Sequence, residues 1–141
     1  MSMTVSEAMH KSVEALSPEA SVSALAQSMK SHDIGIVPIL DQEKLVGVVT
    51  DRDIVLRALA NGLDPAKVKA RDLMSRNVVS CSPDEPLKKA AKRMAKAQIR
   101  RLPVLNDGRL VGMLSMGDVT QAIDDDDDCA DLVRAVSDHH A

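Results

Sequence analysis

No phenylalanine, tyrosine or tryptophan occurs anywhere in the 141 residues. The core must therefore be built from Val, Ile, Leu, Met and Ala, with eight methionines as adaptable filler. The same absence disfavours single-strand nucleic-acid binding, which stacks bases on aromatic rings. Uninterrupted apolar runs span only a few residues, too short to cross a bilayer. The start, MSMTVSEAMHKS, lacks a basic region followed by an apolar stretch, so no signal peptide is expected. Only two cysteines are present, Cys81 and Cys129, without the spacing of a zinc site or a disulfide framework. A reduced, cytoplasmic setting is the expectation. With 45% hydrophobic residues and a mean hydropathy near zero, the composition is that of a globular domain.

Charge is unevenly spread. Residues 1–66 carry 5 basic and 9 acidic side chains, residues 67–123 carry 12 and 5, and residues 124–141 carry 1 and 7. A basic middle block is compatible with anion or nucleic-acid binding. The competing explanation is local: Lys88, Lys89, Lys92, Arg93 and Lys96 share the polar face of a predicted helix, where they need only water. The run Asp124–Asp128 reads as a solvated linker, since five adjacent carboxylates without a turn-forming Gly make a poor calcium loop. A short terminal helix is expected over residues 130–137.

Shifting the sequence by 65 positions aligns residues 9–57 with 74–122 without a gap, and thirteen of the 49 pairs are identical. That register marks a tandem duplication. Each copy predicts the order β-α-β-β-α. A short apolar run, 13–16 or 78–81, suggests a strand. A helix follows, with Val22, Leu25, Ala26 and Met29, or Leu87, Ala90, Ala91 and Met94, at i, i+3, i+4, i+7; Pro86 suits the first turn of the second. Strands over 36–40 and 101–105 carry Pro38 and Pro103 early, which favours an edge or a strand start. Short polar links join them to strands over 45–49 and 110–114, a hairpin pattern. Helices over 50–60 and 115–123 close the copies. The boundaries read as repeat 1 over 5–62, a partly helical connector over 63–71, repeat 2 over 72–123, and a tail over 124–141. The fold class is α+β, with the two copies expected to pack through their sheets in pseudo-two-fold symmetry.

Where each last strand turns polar stands a repeated motif: Gly47-Val-Val-Thr-Asp-Arg-Asp53 and Gly112-Met-Leu-Ser-Met-Gly-Asp118. A Thr or Ser followed by an acid three residues later is a helix-capping box. The same spacing aims both side chains one way at a helix start, where backbone N–H groups favour phosphate.

These residues resemble the cystathionine β-synthase (CBS) domain, in the tandem form called a CBS pair or Bateman module. The resemblance rests on the two motifs in register, on Val37-Pro-Ile-Leu40 and Leu102-Pro-Val-Leu105, and on the β-α-β-β-α order. It covers roughly residues 5–123 and is closest in length to stand-alone bacterial members. It implies binding of adenosine-containing ligands (AMP, ADP, ATP, S-adenosylmethionine or NAD) in clefts between paired repeats. The motif Asp would take the ribose hydroxyls, as a carboxylate can accept from two at once. Carried over, one site joins Thr50 and Asp53 to Val79 and to Arg100, Arg101, Leu102 and Pro103; the other joins Ser115 and Asp118 to Val13, Ile36 and Val37. Only the first has a basic pair, and Arg suits phosphate through its forked donors. At least one of Arg100 and Arg101 is expected on phosphate; the alternative is a surface pair at a strand start. The second site departs further, with Gly117 where the first has Arg52. An adenine held by aliphatic side chains implies micromolar affinity, about −8 kcal/mol.

The resemblance also implies a homodimer that regulates an unidentified protein, with no cofactor required. Nothing in the spacing of His10, His32, His139 and His140 against Ser, Cys or Asp suggests a catalytic or metal site, so no enzyme is expected. The rival reading is a dimerisation or protein-interaction module that needs no ligand. Nucleic-acid binding ranks last, given the missing aromatics and a pI near 5.8.

Overall fold

The computed structural model describes residues 3–122. The acidic run, the expected terminal helix, Cys129, His139 and His140 lie outside the described residues. Two compact units form: Glu14–Val78 is one, and residues 3–13 join residues 79–122 in the other.

Each unit holds one antiparallel hairpin, as the polar links predict. In Glu14–Val78, β1 (Ile36–Asp41) pairs with β2 (Lys44–Thr50), with Ile36 opposite Thr50. In the other unit, β3 (Arg101–Asn106) pairs with β4 (Arg109–Ser115), with Arg101 opposite Ser115. The turns need positive φ at both central residues. Gln42 and Glu43 adopt φ 52° and 70°, and Asp107 and Gly108 adopt 54° and 81°.

The expected first strands are reduced to single bridges, Leu16 with Ile39 and Cys81 with Val104. These bridges explain the prolines. Pro38 O accepts from Leu16 N, and Pro103 O accepts from Cys81 N. A strand residue's N–H and C=O point to the same side, so the missing N–H of each proline lies away from the hairpin partner.

Helix α1 (Val5–Ala8) is followed by His10, whose backbone exchanges two bonds of 2.9 Å with Met113 of β4. Helix α2 (Val22–His32) starts at Ser21, whose Oγ accepts from Ala24 N, and ends at Asp33 in the left-handed region. After β2 comes α3 (Asp51–Asp53), which widens into a π-helical stretch, Ile54–Leu59, in place of the regular helix expected over 50–60. Helix α4 (Ala70–Leu73) leads to Ser75, which pairs with Val48 of β2 as His10 pairs with Met113. Helix α5 (Leu87–Ala97) has Pro86 at its N-cap, one residue earlier than the first turn expected from sequence. Its lysines 88, 89, 92 and 96 are exposed, as the local explanation of the basic block requires. Arg93 is the exception, half-buried and held by Glu85 Oε1 at 2.8 Å and by Ser80 O. Helix α6 (Met116–Ala122) closes the described chain.

Each unit has its own aliphatic core. Leu25, Val37, Ile39 and Val49 are fully buried in one, and Leu87, Met94, Leu102 and Leu114 in the other. Each such side chain contributes about 1.5–3 kcal/mol by leaving water. Cys81 belongs to the second core; burial first, then the nearby Glu85 carboxylate, pushes its thiol up to about 12. It stays protonated and acts as a small apolar residue, not a nucleophile.

Candidate functional site

The two motifs fold as capping boxes in which every backbone contact is duplicated. In the first, Asp53 Oδ2 accepts from Thr50 N at 2.9 Å while Thr50 Oγ1 accepts from Asp53 N at 3.0 Å. In the second, Asp118 Oδ2 accepts from Ser115 N at 2.9 Å while Ser115 Oγ accepts from Asp118 N at 3.1 Å. Asp51 N donates to Gly35 O, and Met116 N donates to Arg100 O, tying each helix start to the residue ahead of its neighbouring strand.

What differs is the second oxygen of each carboxylate. Asp53 Oδ1 faces Arg57 Nε at 3.7 Å, outside hydrogen-bond distance, and Arg57 Nη1 donates instead to Leu73 O at 3.0 Å. Asp118 Oδ1 lies 2.7 Å from His10 Nε2. Neither Arg57 nor His10 was singled out from sequence as a site residue. Arg57 sits four residues after Asp53, an ion-pair spacing on a helix. His10 stands 108 positions before Asp118, and no local pattern connects them.

The remaining candidates divide between the units. Ile36 lies opposite Thr50, so the Glu14–Val78 unit brings Thr50, Asp53, Ile36 and Val37 to the open end of its hairpin. The other unit holds Val13, Val79, Arg100, Arg101, Leu102, Pro103, Ser115 and Asp118, with Arg101 opposite Ser115. Val37 and Leu102 are fully buried within their own cores, which leaves only their backbones for any ligand. Arg100, Arg101 and Val79 are exposed.

A cavity of about 490 Å³ in the Glu14–Val78 unit lies elsewhere. Asp41, Gln42, Arg71 and Arg76 line it at the turn end of the hairpin, the opposite end from Thr50. Glu19 at its rim bridges Lys69 at 2.6 Å and Arg71 at 2.7 Å. The Lys69 hydrogen bond, aided by Arg71, holds the Glu19 carboxyl below its usual range. Among the described residues, no three His, Cys, Asp or Glu side chains gather as a metal-binding group. No described helix is long and apolar enough to cross a membrane.

Comparison with known proteins matches the CBS domain family model to residues 5–59 and 70–125. The CBS domain-containing protein YhcV of Bacillus subtilis is 38% identical over 116 residues, 82% of each chain. Hypoxic Response Protein I, solved with two coordinated zinc ions, superposes with a TM-score of 0.80 at 33% identity, over 86% of this chain and 100% of that one. A CBS domain pair solved with 5′-methylthioadenosine and S-adenosyl-L-methionine superposes with a TM-score of 0.75 at 31% identity, over 86% and 96%. Two matched repeats and relatives of this identity leave one assignment: the chain belongs to the CBS domain family, as a tandem pair.

Proposed function

We propose that this protein is a cytoplasmic regulatory module, not an enzyme, that binds adenosine-containing ligands and passes their occupancy to a protein it regulates. The observation that carries the reading is the Asp53 carboxylate. One oxygen is fixed by the Thr50 N–H; the other faces a guanidinium at 3.7 Å, outside hydrogen-bond distance, and can accept from a hydroxyl donor. A carboxylate so held accepts a ribose hydroxyl with little reorganisation. The relative that binds 5′-methylthioadenosine and S-adenosyl-L-methionine supports the adenosine class. Asp53 is the proposed sugar ligand of the first motif, with Thr50 beside ribose or phosphate, and Asp118 and Ser115 hold the corresponding places in the second. Arg100 and Arg101 are the proposed phosphate donors, and the exposed Val79 and half-buried Val13 and Ile36 the proposed apolar contacts, with the Val37, Leu102 and Pro103 backbones. The ligand acts by stabilising one arrangement of the protein, to the extent of its differential affinity.

The missing aromatics supply the test. A chain without Trp, Tyr or Phe absorbs almost nothing near 260 nm, so the purified protein is expected to show a band there from co-purified nucleotide. That chromophore should pass a small-pore filter after denaturation and be identified by mass spectrometry. A band retained with large material would instead mean bound nucleic acid. A blank spectrum joined to no calorimetric response to AMP or S-adenosylmethionine would reject the reading.

A second reading, association with another copy of the chain, has its own observation. Val55, Leu56, Leu59 and Leu63 are 52%, 48%, 53% and 42% exposed along the π-helical stretch and just after it. Within the aligned range the counterparts of Val55 and Leu56 are Thr120 and Gln121, so the second copy does not repeat this apolar pair. Contiguous exposed aliphatics of this kind mark association surfaces. Replacing Leu56 and Leu59 together by Glu is expected to convert a dimer to a monomer in size-exclusion chromatography with light scattering. A monomeric wild type would remove this second reading and leave the first intact.

A further inference from the structure

The two motifs share sequence pattern and backbone bonding, yet they present their carboxylates differently. We propose that His10 closes the second motif to ligand hydroxyls, and that the side chain at positions 10 and 75 decides which copy of the motif binds. The proposal rests on the adenosine reading above.

Four observations carry it. First, both oxygens of Asp118 already have donors: Ser115 N at 2.9 Å on Oδ2 and His10 Nε2 at 2.7 Å on Oδ1. Among the described residues the cation facing Asp53 Oδ1 is Arg57, at 3.7 Å and outside hydrogen-bond distance. Second, the imidazole nitrogen occupies the approach to Asp118 Oδ1, and the Asp118 side chain is 7% exposed against 15% for Asp53. A diol reaching Asp118 must displace the ring; a diol reaching Asp53 Oδ1 meets, among the described residues, only Arg57 at 3.7 Å. Third, the backbone that carries residue 10 is duplicated at residue 75. His10 exchanges two bonds with Met113, and Ser75 exchanges two with Val48, at 3.1 and 2.9 Å. Positions 10 and 75, like 48 and 113, are related by the shift of 65. The motif glycines permit both approaches, since a Cβ on Gly112 would stand 2.7 Å from His10 O and one on Gly47 2.8 Å from Ser75 O. Only the side chain differs: an imidazole that reaches the motif acid in one copy, a hydroxymethyl in the other. Fourth, the His10 side chain is itself 68% exposed, so its contact with Asp118 is a surface contact and not core packing. Its replacement alters the site without opening a cavity.

The symmetry of the backbone allows a reciprocal exchange. His10→Ser gives the second motif the residue of the first, and Ser75→His gives the first the residue of the second. Calorimetric titration with AMP, and in parallel with S-adenosylmethionine, is run on both variants and the wild type after circular dichroism confirms folding. The wild type is expected to bind one ligand per chain and His10→Ser two, while Ser75→His is expected to bind at least tenfold more weakly than the wild type. A wild type that already binds two ligands alike, or a His10→Ser protein that still binds one, overturns the assignment of His10 while leaving the adenosine reading standing. Failure of both ligands to bind any of the three proteins overturns that reading, and this inference with it.

Discussion

Gly112→Val is expected to destabilise the protein by about 3 kcal/mol, at the upper end of the cost of overpacking. The conformation of Gly112 is not the reason, because it does not lie at positive φ. Space is the reason. A Cβ there would stand 2.6 Å from Met9 Sδ and 2.7 Å from His10 O. The methionine end can swing aside, but the His10 carbonyl accepts from Met113 N at 2.9 Å and belongs to the bridge that fastens residues 3–13 to β4. A valine therefore either breaks those two backbone bonds or displaces α1, whose Val5 is fully buried in the same core. Gly47→Val should cost a similar amount, against Met74 Sδ at 2.8 Å and Ser75 O at 2.8 Å. Urea unfolding followed by far-ultraviolet circular dichroism measures both, since the chain has no fluorophore. Gly117→Ala is the control: its added methyl meets nothing nearer than Ser115 Oγ at 3.7 Å, and alanine improves a helical position. Should Gly112→Val cost less than 1 kcal/mol, the close approach is not what the motif glycine serves.

Asp53→Ala is expected to weaken adenosine-ligand binding by at least 30-fold, about 2 kcal/mol, the usual worth of hydrogen bonds to a charged group. It should also lower stability by about 1 kcal/mol, because Thr50 N loses its acceptor at a helix start. The two effects separate through Thr50→Ala. That change removes the acceptor for Asp53 N, and so costs a comparable capping energy, while leaving the carboxylate in place. If capping alone explained the motif, the two variants would bind ligand equally. If Asp53 is the sugar acceptor, Asp53→Ala loses far more binding than Thr50→Ala at similar stability. Calorimetric titration with AMP and S-adenosylmethionine, paired with urea unfolding of both variants, decides between them.

The features legible in the sequence are those set by short-range periodicity. Leu87, Ala90, Ala91 and Met94 recur at helical spacing and are the buried residues of α5. Short polar links at 41–44 and 106–109 between apolar runs gave both hairpins, because a connection of that length leaves antiparallel strands as neighbours. The shift of 65 carried the pattern of one copy to the other, and the matched pairs Thr50 with Asp53 and Ser115 with Asp118 cap their helices alike. Aliphatic side chains alone, methionines included, sufficed for both cores.

Other features depend on partners far away in the chain. The runs 13–16 and 78–81 have the composition of strands, but a strand exists only as far as a neighbour supplies bonds, and β1 and β3 meet them at one bridge each. The helix after Thr50 widens at Ile54, although its residues predict an ordinary α-helix. Above all, the two motif acids look interchangeable in sequence and are not. Their difference comes from His10, 108 positions from Asp118 and brought there by the packing of residues 3–13 with residues 79–122. Local pattern alone determined the duplicated units and their capped motifs. Only the tertiary structure decided which carboxylate keeps an oxygen free of a near donor, because that depends on which distant side chain the folded backbone sets against it.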